Sequence, residues 1–516
     1  GQQRLTTISL LYSAIHAKLK EIENTMDDES KSELINLKYK IIQKKNPNET
    51  KLELSYQNNN FEDYKEILEE SQILKAKEGR PKNIGNKRIY KAYQFFATRL
   101  EKMKYEEVKK LLAKINSSHI IKIEVNTNSD AFILFESINN RGVPLSAIDL
   151  IKNNLLSTLE KKKYKKIEDS FDEWKKIIEN LTDDPKNQER FLRHYYNAFK
   201  QDKKIKVKVK ESKATKSNLI KIYDQLIDKD NGKNALFLLE ELNNKSVTFG
   251  RIISPESDDF FYQEFIDILN IGGTPSYIFL LYLLTEFKDK KELIKETLNF
   301  LSKYFVRRNL TDYPATRNLD NIFIALVEEC EKNKKNISFN LVKTFLINPE
   351  RYASNEIFKE KLSGGIYEMN SEVTRYILCQ IEEGHFTKDT KKDLWRREKE
   401  KYVFTIEHIL PEGERLPKDW IDMIAKGDKE EAKQLQEEYV HTLGNLTLTA
   451  YNSNLSNLSF DKKRDRKDKK GENIGYKNGL YLNEKIYPLH NKKEWTIEEI
   501  KDRTDILVDE ALKLFC

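Results

Sequence analysis

Two short runs of strand-forming residues stand out in a chain otherwise patterned for helices, and they bracket its most chemically loaded stretch, residues 402–463. The first, Tyr402-Val403-Phe404-Thr405-Ile406, is rich in residues that fit a pleated, half-buried surface. It ends on Glu407-His408, and Pro411 stops the strand because proline has no N–H to give a ladder. The second, Leu446-Thr447-Leu448-Thr449, alternates with period two and follows His441 and Gly444-Asn445. Asn452, Asn454 and Asn457 come next, then Phe460 and a burst of Lys and Arg.

Phosphodiester hydrolysis is the chemistry this set suits. A water must lose a proton to attack phosphorus, and an imidazole titrating near neutrality is a fitting base. Hard oxygen ligands suit a Mg²⁺ or Mn²⁺ that neutralises the leaving oxygen. His408 is the candidate base, and Glu407 with the amide oxygen of Asn454 the candidate metal ligands. Neighbouring strand residues point to opposite faces, so Glu407 and His408 share a site only where the strand ends or bends. Pro411 and the loop after it supply such an end. A lone Glu-His pair is ordinarily a polar edge, and asparagines after a strand ordinarily make turns. The whole ordered set, followed by a basic run, points to a site.

The stretch resembles the HNH (His-Me finger, ββα-metal) nucleases through Glu407-His408, Asn445 and Asn454, in that order and with a nine-residue step between the asparagines. The resemblance implies that the acid–His pair ends the first strand and that His408 activates water. It implies that Asn445 begins the second strand and pins the connecting loop, and that Asn454 opens a helix and completes the metal site with Glu407. His441 is then expected to bind phosphate or support the site. Lys462 and Lys463 stand where the family places lysine; Lys462 is assigned to steady the scissile phosphate. Glu407 replaces the commoner Asp, and the about thirty residues between His408 and His441 are expected to carry a helix of their own.

A chain of 516 residues has room for roughly three or four domains. The net charge of +7 is spread over 34% charged residues of both signs, which gives local basic patches rather than a uniformly basic surface. No run approaches the roughly 20 apolar residues of a membrane span. Cys330, Cys379 and Cys516 are far apart, which argues against a zinc knuckle or a disulfide framework and for a reducing, cytoplasmic setting.

Near the start, Leu5, Ile8, Leu11, Tyr12, Ile15 and Leu19 recur at three- and four-residue steps and predict an amphipathic helix. Gly1-Gln2-Gln3-Arg4 is expected on the loop leading into it, where free N–H groups and the helix dipole favour an anion. A polar loop with an Arg ion pair is the plainer reading of four residues. Residues 24–82 read as loops, short strands around Leu52, Leu54 and Tyr56, and a helix near 61–77; residues 87–115 read as helix and 119–125 as a strand. A helix through Phe132, Leu134 and Phe135 is expected to stop at Asn139-Asn140-Arg141-Gly142. Ser146 then caps the next helix, with Asp149 at the capping-box spacing. Asn139, Arg141 and Lys152 gather polar groups beside this second helix N-terminus.

GQQRLTT together with FESINNRGVPLSAIDLIKN resembles the N-terminal domain of the GmrSD-type modification-dependent restriction proteins. The resemblance implies a ParB/sulfiredoxin-like core, a nucleotide-binding and hydrolysing Asp-Gly-Gln-Gln-Arg motif, and fusion to a C-terminal HNH nuclease. The nucleotide-binding residues that carry over are Gly1, Gln2, Gln3, Arg4, Asn139, Arg141, Gly142, Asp149 and Lys152. The motif's Asp and the strands upstream of it are not in the chain, which is therefore expected to be the retained part of a longer protein.

Between the two ends the pattern is helical. Phe191, Tyr195, Tyr196 and Phe199 make an aromatic stripe beside Arg190, Arg193 and His194, better read as core than as a nucleic-acid platform. Residues 201–216 read as a solvated hairpin or mobile loop, with a DNA-facing ribbon as the sharper alternative. Thr496 is expected to cap a C-terminal helix.

The expected fold is mainly α with α+β ends: a partial ParB-like domain over 1–160, a helical middle over 161–390 and a ββα-metal domain over 391–516. The expected function is that of a nucleotide-regulated, metal-dependent DNA endonuclease in phage defence. Mg²⁺ or Mn²⁺ and a nucleoside triphosphate would be its cofactors. Its partners would be double-stranded DNA, modified or phage-derived by the resemblance, and no membrane; a second copy of the chain is a candidate partner. A catalytically inactive DNA-binding scaffold and a nucleotide hydrolase acting as sensor stay open as alternatives.

Overall fold

Apolar residues recur at helical spacing along most of the chain, and helices accordingly dominate a computed structural model that describes residues 2–54, 60–75, 87–119, 146–182, 184–207, 213–387, 389, 391–398 and 401–516. The chain divides into two compact units, Gly1–Gln188 with Ile227–Asn243, and Glu189–Leu226 with Asn244–Cys516.

The first unit holds α1 (Gln2–Lys20), α2 (Asp28–Ile41), α3 (Asn60–Glu70), α4 (Lys87–Glu101), α5 (Tyr105–Asn116), α6 (Ala147–Lys161) and α7 (Ile167–Leu181). Leu10, Ile15, Leu34, Leu37, Tyr64, Leu68, Leu100 and Leu112 share one core. Helix α2 occupies a stretch expected to be loop. Asp27 starts it by accepting from the Ser30 N–H at 2.9 Å, and Leu34, Leu37 and Ile41 then bury one face that its many charges obscure. The helical run expected over 87–115 is two helices, α4 and α5. Ile42 bridges Thr50, and no strand forms at Leu52 or Leu54. Gln2, Gln3 and Arg4 lie in the first turn of α1 rather than on a loop before it. Helix α6 starts as expected: Ser146 caps it, its hydroxyl 2.6 Å from the Asp149 carboxylate. The expected strand beyond His119, the helix near 132–135 and its stop at 139–142 lie outside the described residues.

Helices α8 (Pro185–Phe199), α9 (Leu219–Asp228), α10 (Asn234–Ile253), α11 (Tyr262–Asn270), α12 (Tyr277–Glu286), α13 (Lys291–Thr311), α14 (Thr316–Lys332), α15 (Phe339–Leu346) and α16 (Asn355–Ser363) follow, in keeping with the helical pattern of this stretch; α10 runs ten residues past the 233–243 that apolar spacing predicts. Helix α12 is buried on every side from Tyr277 to Leu284, as an apolar-all-round helix must be. The aromatic stripe is core: the Phe191 ring lies 5.4 Å from that of Phe249, and Tyr195 is fully buried.

After the short α17 (Ile366–Met369) and α18 (Ser371–Glu383), the backbone turns to strands. A small hairpin, β1 (Arg397–Glu398) and β2 (Lys401–Tyr402), precedes an antiparallel pair, β3 (Thr405–His408) and β4 (Leu446–Thr449). The register pairs Thr405 with Thr449, Ile406 with Leu448, Glu407 with Thr447 and His408 with Leu446. The strand thus begins at Thr405 rather than Tyr402 and contains the Glu-His pair, while Tyr402 belongs to the hairpin. The long connection carries two helices, α19 (Lys418–Ala425) and α20 (Lys429–Tyr439). Helices α21 (Asn452–Leu455), α22 (Phe460–Arg464), α23 (Tyr481–Glu484) and α24 (Ile497–Phe515) complete the unit. Thr496 caps α24 by accepting from the Glu499 N–H.

The turn Leu443–Asn445 lies flat against α24, and glycine makes that approach available. A Cβ on Gly444 would sit 2.1 Å from the Ile500 carbonyl oxygen and 2.3 Å from Thr504 Oγ1. Gly444→Ala is therefore expected to cost about 2–3 kcal/mol or more, read from the urea midpoint of unfolding.

Candidate active site

Asn445 is the hinge pin of the C-terminal strands. It is fully buried, and its side chain reads the backbone of Leu410 on both sides: Oδ1 accepts from Leu410 N at 2.7 Å and Nδ2 donates to Leu410 O at 3.0 Å. Nδ2 also donates to Val440 O at 2.9 Å, and Trp495 Nε1 donates to Oδ1 at 3.2 Å. The chain leaving β3 is thereby tied to the chain entering β4. The insertion reinforces the tie, since Gln436 on α20 donates to Pro411 O at 2.6 Å.

Lys463 enters this region from α22 with a side chain only 1% exposed. Its ammonium donates to Glu407 Oε1 at 2.7 Å, His408 O at 2.8 Å and Ile409 O at 3.1 Å. An ammonium has three hydrogens, and all three are used. Tyr476 adds a 3.4 Å hydrogen bond to the same carboxylate oxygen. Burial pushes the Glu407 carboxyl up and the Lys463 ammonium down, and each group's charge opposes the shift of the other.

His408 faces a different set of groups. Its Nε2 lies 3.2 Å from His441 Nδ1, and its Nδ1 is 3.7 Å from the exposed carboxylate of Glu412. The Tyr367 ring packs edge-on against His408 at 4.7 Å and stacks on His441 at 5.6 Å, while Tyr367 N donates to His441 O. Burial, then the charges of His441 and Lys463, push the His408 imidazole down to about 3. It is neutral at pH 7.

The two halves of the expected pair thus have separate neighbours. Glu407 meets Lys463 and Tyr476, whereas His408 meets His441, Tyr367 and Glu412. Asn454 lies exposed on α21, its amide oxygen accepting from Ser453 Oγ at 3.4 Å. Neighbouring Asn452 instead holds β3, donating to Ile406 O at 2.6 Å. Lys462 is exposed, and Lys463 is the lysine that reaches the strand end. Phe460 and Lys463, three apart on one helix face, are both buried; that spacing was the signal separating the two lysines. Tyr367 carries no such signal, lying far upstream on a four-residue helix.

At the other end, Arg4 is exposed on the first turn of α1. Asp149 bonds Ser146 and lies 3.5 Å from Lys152, so both its contacts belong to its own helix start. Gly1, Asn139, Arg141, Gly142 and the side chains of Gln2 and Gln3 lie outside the described residues.

Among the described residues no three His, Cys, Asp or Glu side chains form a group able to hold a metal. No helix among them is long and apolar enough to cross a membrane.

A buried, neutral imidazole stands at a strand end beside a pinned loop, and the family comparison covers this whole region. The GmrSD restriction endonuclease C-terminal domain matches residues 352–510, and the GmrSD restriction endonuclease N-terminal domain matches residues 1–156. The chain belongs to the GmrSD restriction endonuclease family. No curated protein and no solved structure matches it.

Burying a neutral histidine has a pH signature. Below its unfolded value near 6.5 the unfolded chain takes up a proton that folded His408 refuses until about 3, so stability is lost as pH falls through that window. Burial sets the shift first, then the charges of His441 and Lys463; Glu412 and Tyr367 also face the ring. Urea unfolding between pH 6 and pH 4 is expected to show wild type losing roughly 1 kcal/mol per pH unit more than His408→Gln.

Proposed function

We propose that the protein is a nucleotide-regulated, metal-dependent DNA endonuclease of a cytoplasmic phage-defence system, and that it cuts at an HNH-type centre built on β3, β4 and the helices that follow. The observation that carries this reading is the neutral imidazole of His408, held at the end of β3 inside the part of the chain that matches the endonuclease C-terminal domain.

In this reading His408 takes a proton from the attacking water, and His441, 3.2 Å away, shares it. Asn445 keeps the strand end and the loop in register, so that His408 is presented without reorganisation at the moment of reaction. A divalent cation would be held by Glu407 and Asn454. Lys463 and Tyr476 both bond Glu407 Oε1 and neither bonds Oε2, which leaves an oxygen for such an ion. Mg²⁺ typically takes one or two protein oxygens and completes its shell with water and phosphate, so this sparse donor set fits it or Mn²⁺. When bound, the ion would neutralise charge developing on the leaving oxygen.

The substrate proposed is double-stranded DNA of invading, modified phage type. Exposed Arg396, Arg397 and Lys401 on the approach to β3 would supply sequence-independent phosphate contacts. The N-terminal segment would bind a nucleoside triphosphate through Gly1, Gln2, Gln3 and Arg4, with Asn139, Arg141, Gly142, Asp149 and Lys152 as its second edge. Exposed Arg4 on the first turn of α1 supports that placement, because free N–H groups there favour an anion.

The test is cleavage of supercoiled and modified phage DNA with Mg²⁺ or Mn²⁺, with and without nucleotides. His408→Ala is expected to lower the rate by at least ~100-fold while DNA affinity stays within about 2-fold. Cutting by that variant at the wild-type rate would remove His408 from the mechanism.

A further inference from the structure

The basic run after Phe460 offers several lysines to a substrate, and geometry separates them. Lys462 is exposed, whereas the Lys463 side chain is 1% exposed and spends its three ammonium hydrogens on Glu407 Oε1, His408 O and Ile409 O. A lysine so engaged has no hydrogen left for a phosphate. Its three acceptors are consecutive residues, Glu407 to Ile409, and they span the end of β3. Among the described residues β3 has one strand partner, β4, and the carbonyls at its end take hydrogen bonds from side chains.

We propose that Lys463 is a positioning residue for cleavage: its ammonium clamps three consecutive residues, Glu407 to Ile409, and fixes the strand end from which the Glu407 carboxylate and the His408 imidazole act. The proposal rests on the nuclease reading above and deepens it. Clamping Oε1 leaves Glu407 to offer its other oxygen in one orientation, and holding the His408 and Ile409 carbonyls sets the backbone from which the imidazole projects. Release of the clamp moves the reacting groups without touching the substrate. A misplacement of about 1 Å at such a centre costs on the order of 100-fold in rate.

The experiment compares wild type, Lys463→Met and Lys462→Ala as full chains. It measures plasmid-cleavage kinetics, DNA affinity over a salt series in EDTA, Mn²⁺ affinity by calorimetry without DNA, and thermal melting. Lys463→Met is expected to lose kcat by at least ~100-fold, to keep DNA affinity within about 2-fold with an unchanged salt slope, and to bind Mn²⁺ at least ~10-fold more weakly. Lys462→Ala is expected to differ by keeping Mn²⁺ affinity without DNA within about 2-fold while weakening DNA binding and reducing the salt slope by about 1. If Lys463→Met does not melt cooperatively, Lys463→Gln, which keeps two donors without the charge, is read by the same criteria.

A reduced salt slope with intact kcat in the Lys463 variant would overturn the proposal, because it would place that ammonium on phosphate. Wild-type kinetics and Mn²⁺ binding in that variant would overturn it too. Failure of wild type to cut any DNA would instead remove the nuclease reading beneath it.

Discussion

The C-terminal strands depend on one buried amide. A pair of four-residue strands is too short to hold its own register, and the connection between them runs through two helices. Asn445 supplies the missing constraint by bonding both the N–H and the C=O of Leu410, so that the end of β3 and the start of β4 are joined outside the ladder. Trp495 bonds the same oxygen and stacks on Phe460 at 5.6 Å, which ties the pin to α22. Lys463 is carried on that helix, so the pin and the clamp on Glu407 belong to one packed assembly.

Buried cations do for this unit what further strands do for a larger sheet. With two strands paired among the described residues, the outward carbonyls of both need donors. Arg375 on α18 donates to Phe404 O at 2.5 Å while its guanidinium lies 3.8 Å over the Tyr402 ring. Lys463 takes His408 O and Ile409 O; Arg503 on α24 takes Gly444 O at 2.5 Å and Leu446 O at 2.7 Å. Burial of fully enclosed Arg503 lowers its guanidinium to about 9, and it still carries its charge at pH 7. Desolvating such groups is expensive, and each is retained where its hydrogen bonds fall on backbone flanking the site. The same burial that makes these cations costly keeps His408 neutral at pH 7.

Much of this was legible in the sequence where apolar spacing was undiluted. Helices α9, α11 to α16 and α18 and strand β4 fall close to where period and caps place them, because burial there leaves a clear stripe, while α10 runs on past the expected 233–243 to Ile253 and α17 was not expected. Helix α2 was not legible: its charged residues hide a face made of only Leu34, Leu37 and Ile41. The start of β3 was misjudged because Tyr402 and Val403 have strand propensity, yet Tyr402 pairs with Arg397 in a separate hairpin. Glu407, His408, His441 and Asn445 could be named from residue type and order. That Glu407 and His408 have different neighbours could not, since it depends on which side chains α17 and α22 bring in. Tyr367 and Tyr476 are aromatic residues among 50 Phe and Tyr in the chain, and only the tertiary fold selects them.

The central claim is that the C-terminal strand pair is a metal-dependent phosphodiester-cutting centre. The most direct measurement is cleavage of plasmid and phage DNA by the full chain with Mg²⁺ or Mn²⁺, then with EDTA, then with the metal restored, together with analysis of the new ends. The account predicts cutting that stops with EDTA, returns with metal and yields ends that come from hydrolysis of the phosphodiester. Cutting that continues unchanged in EDTA would contradict it.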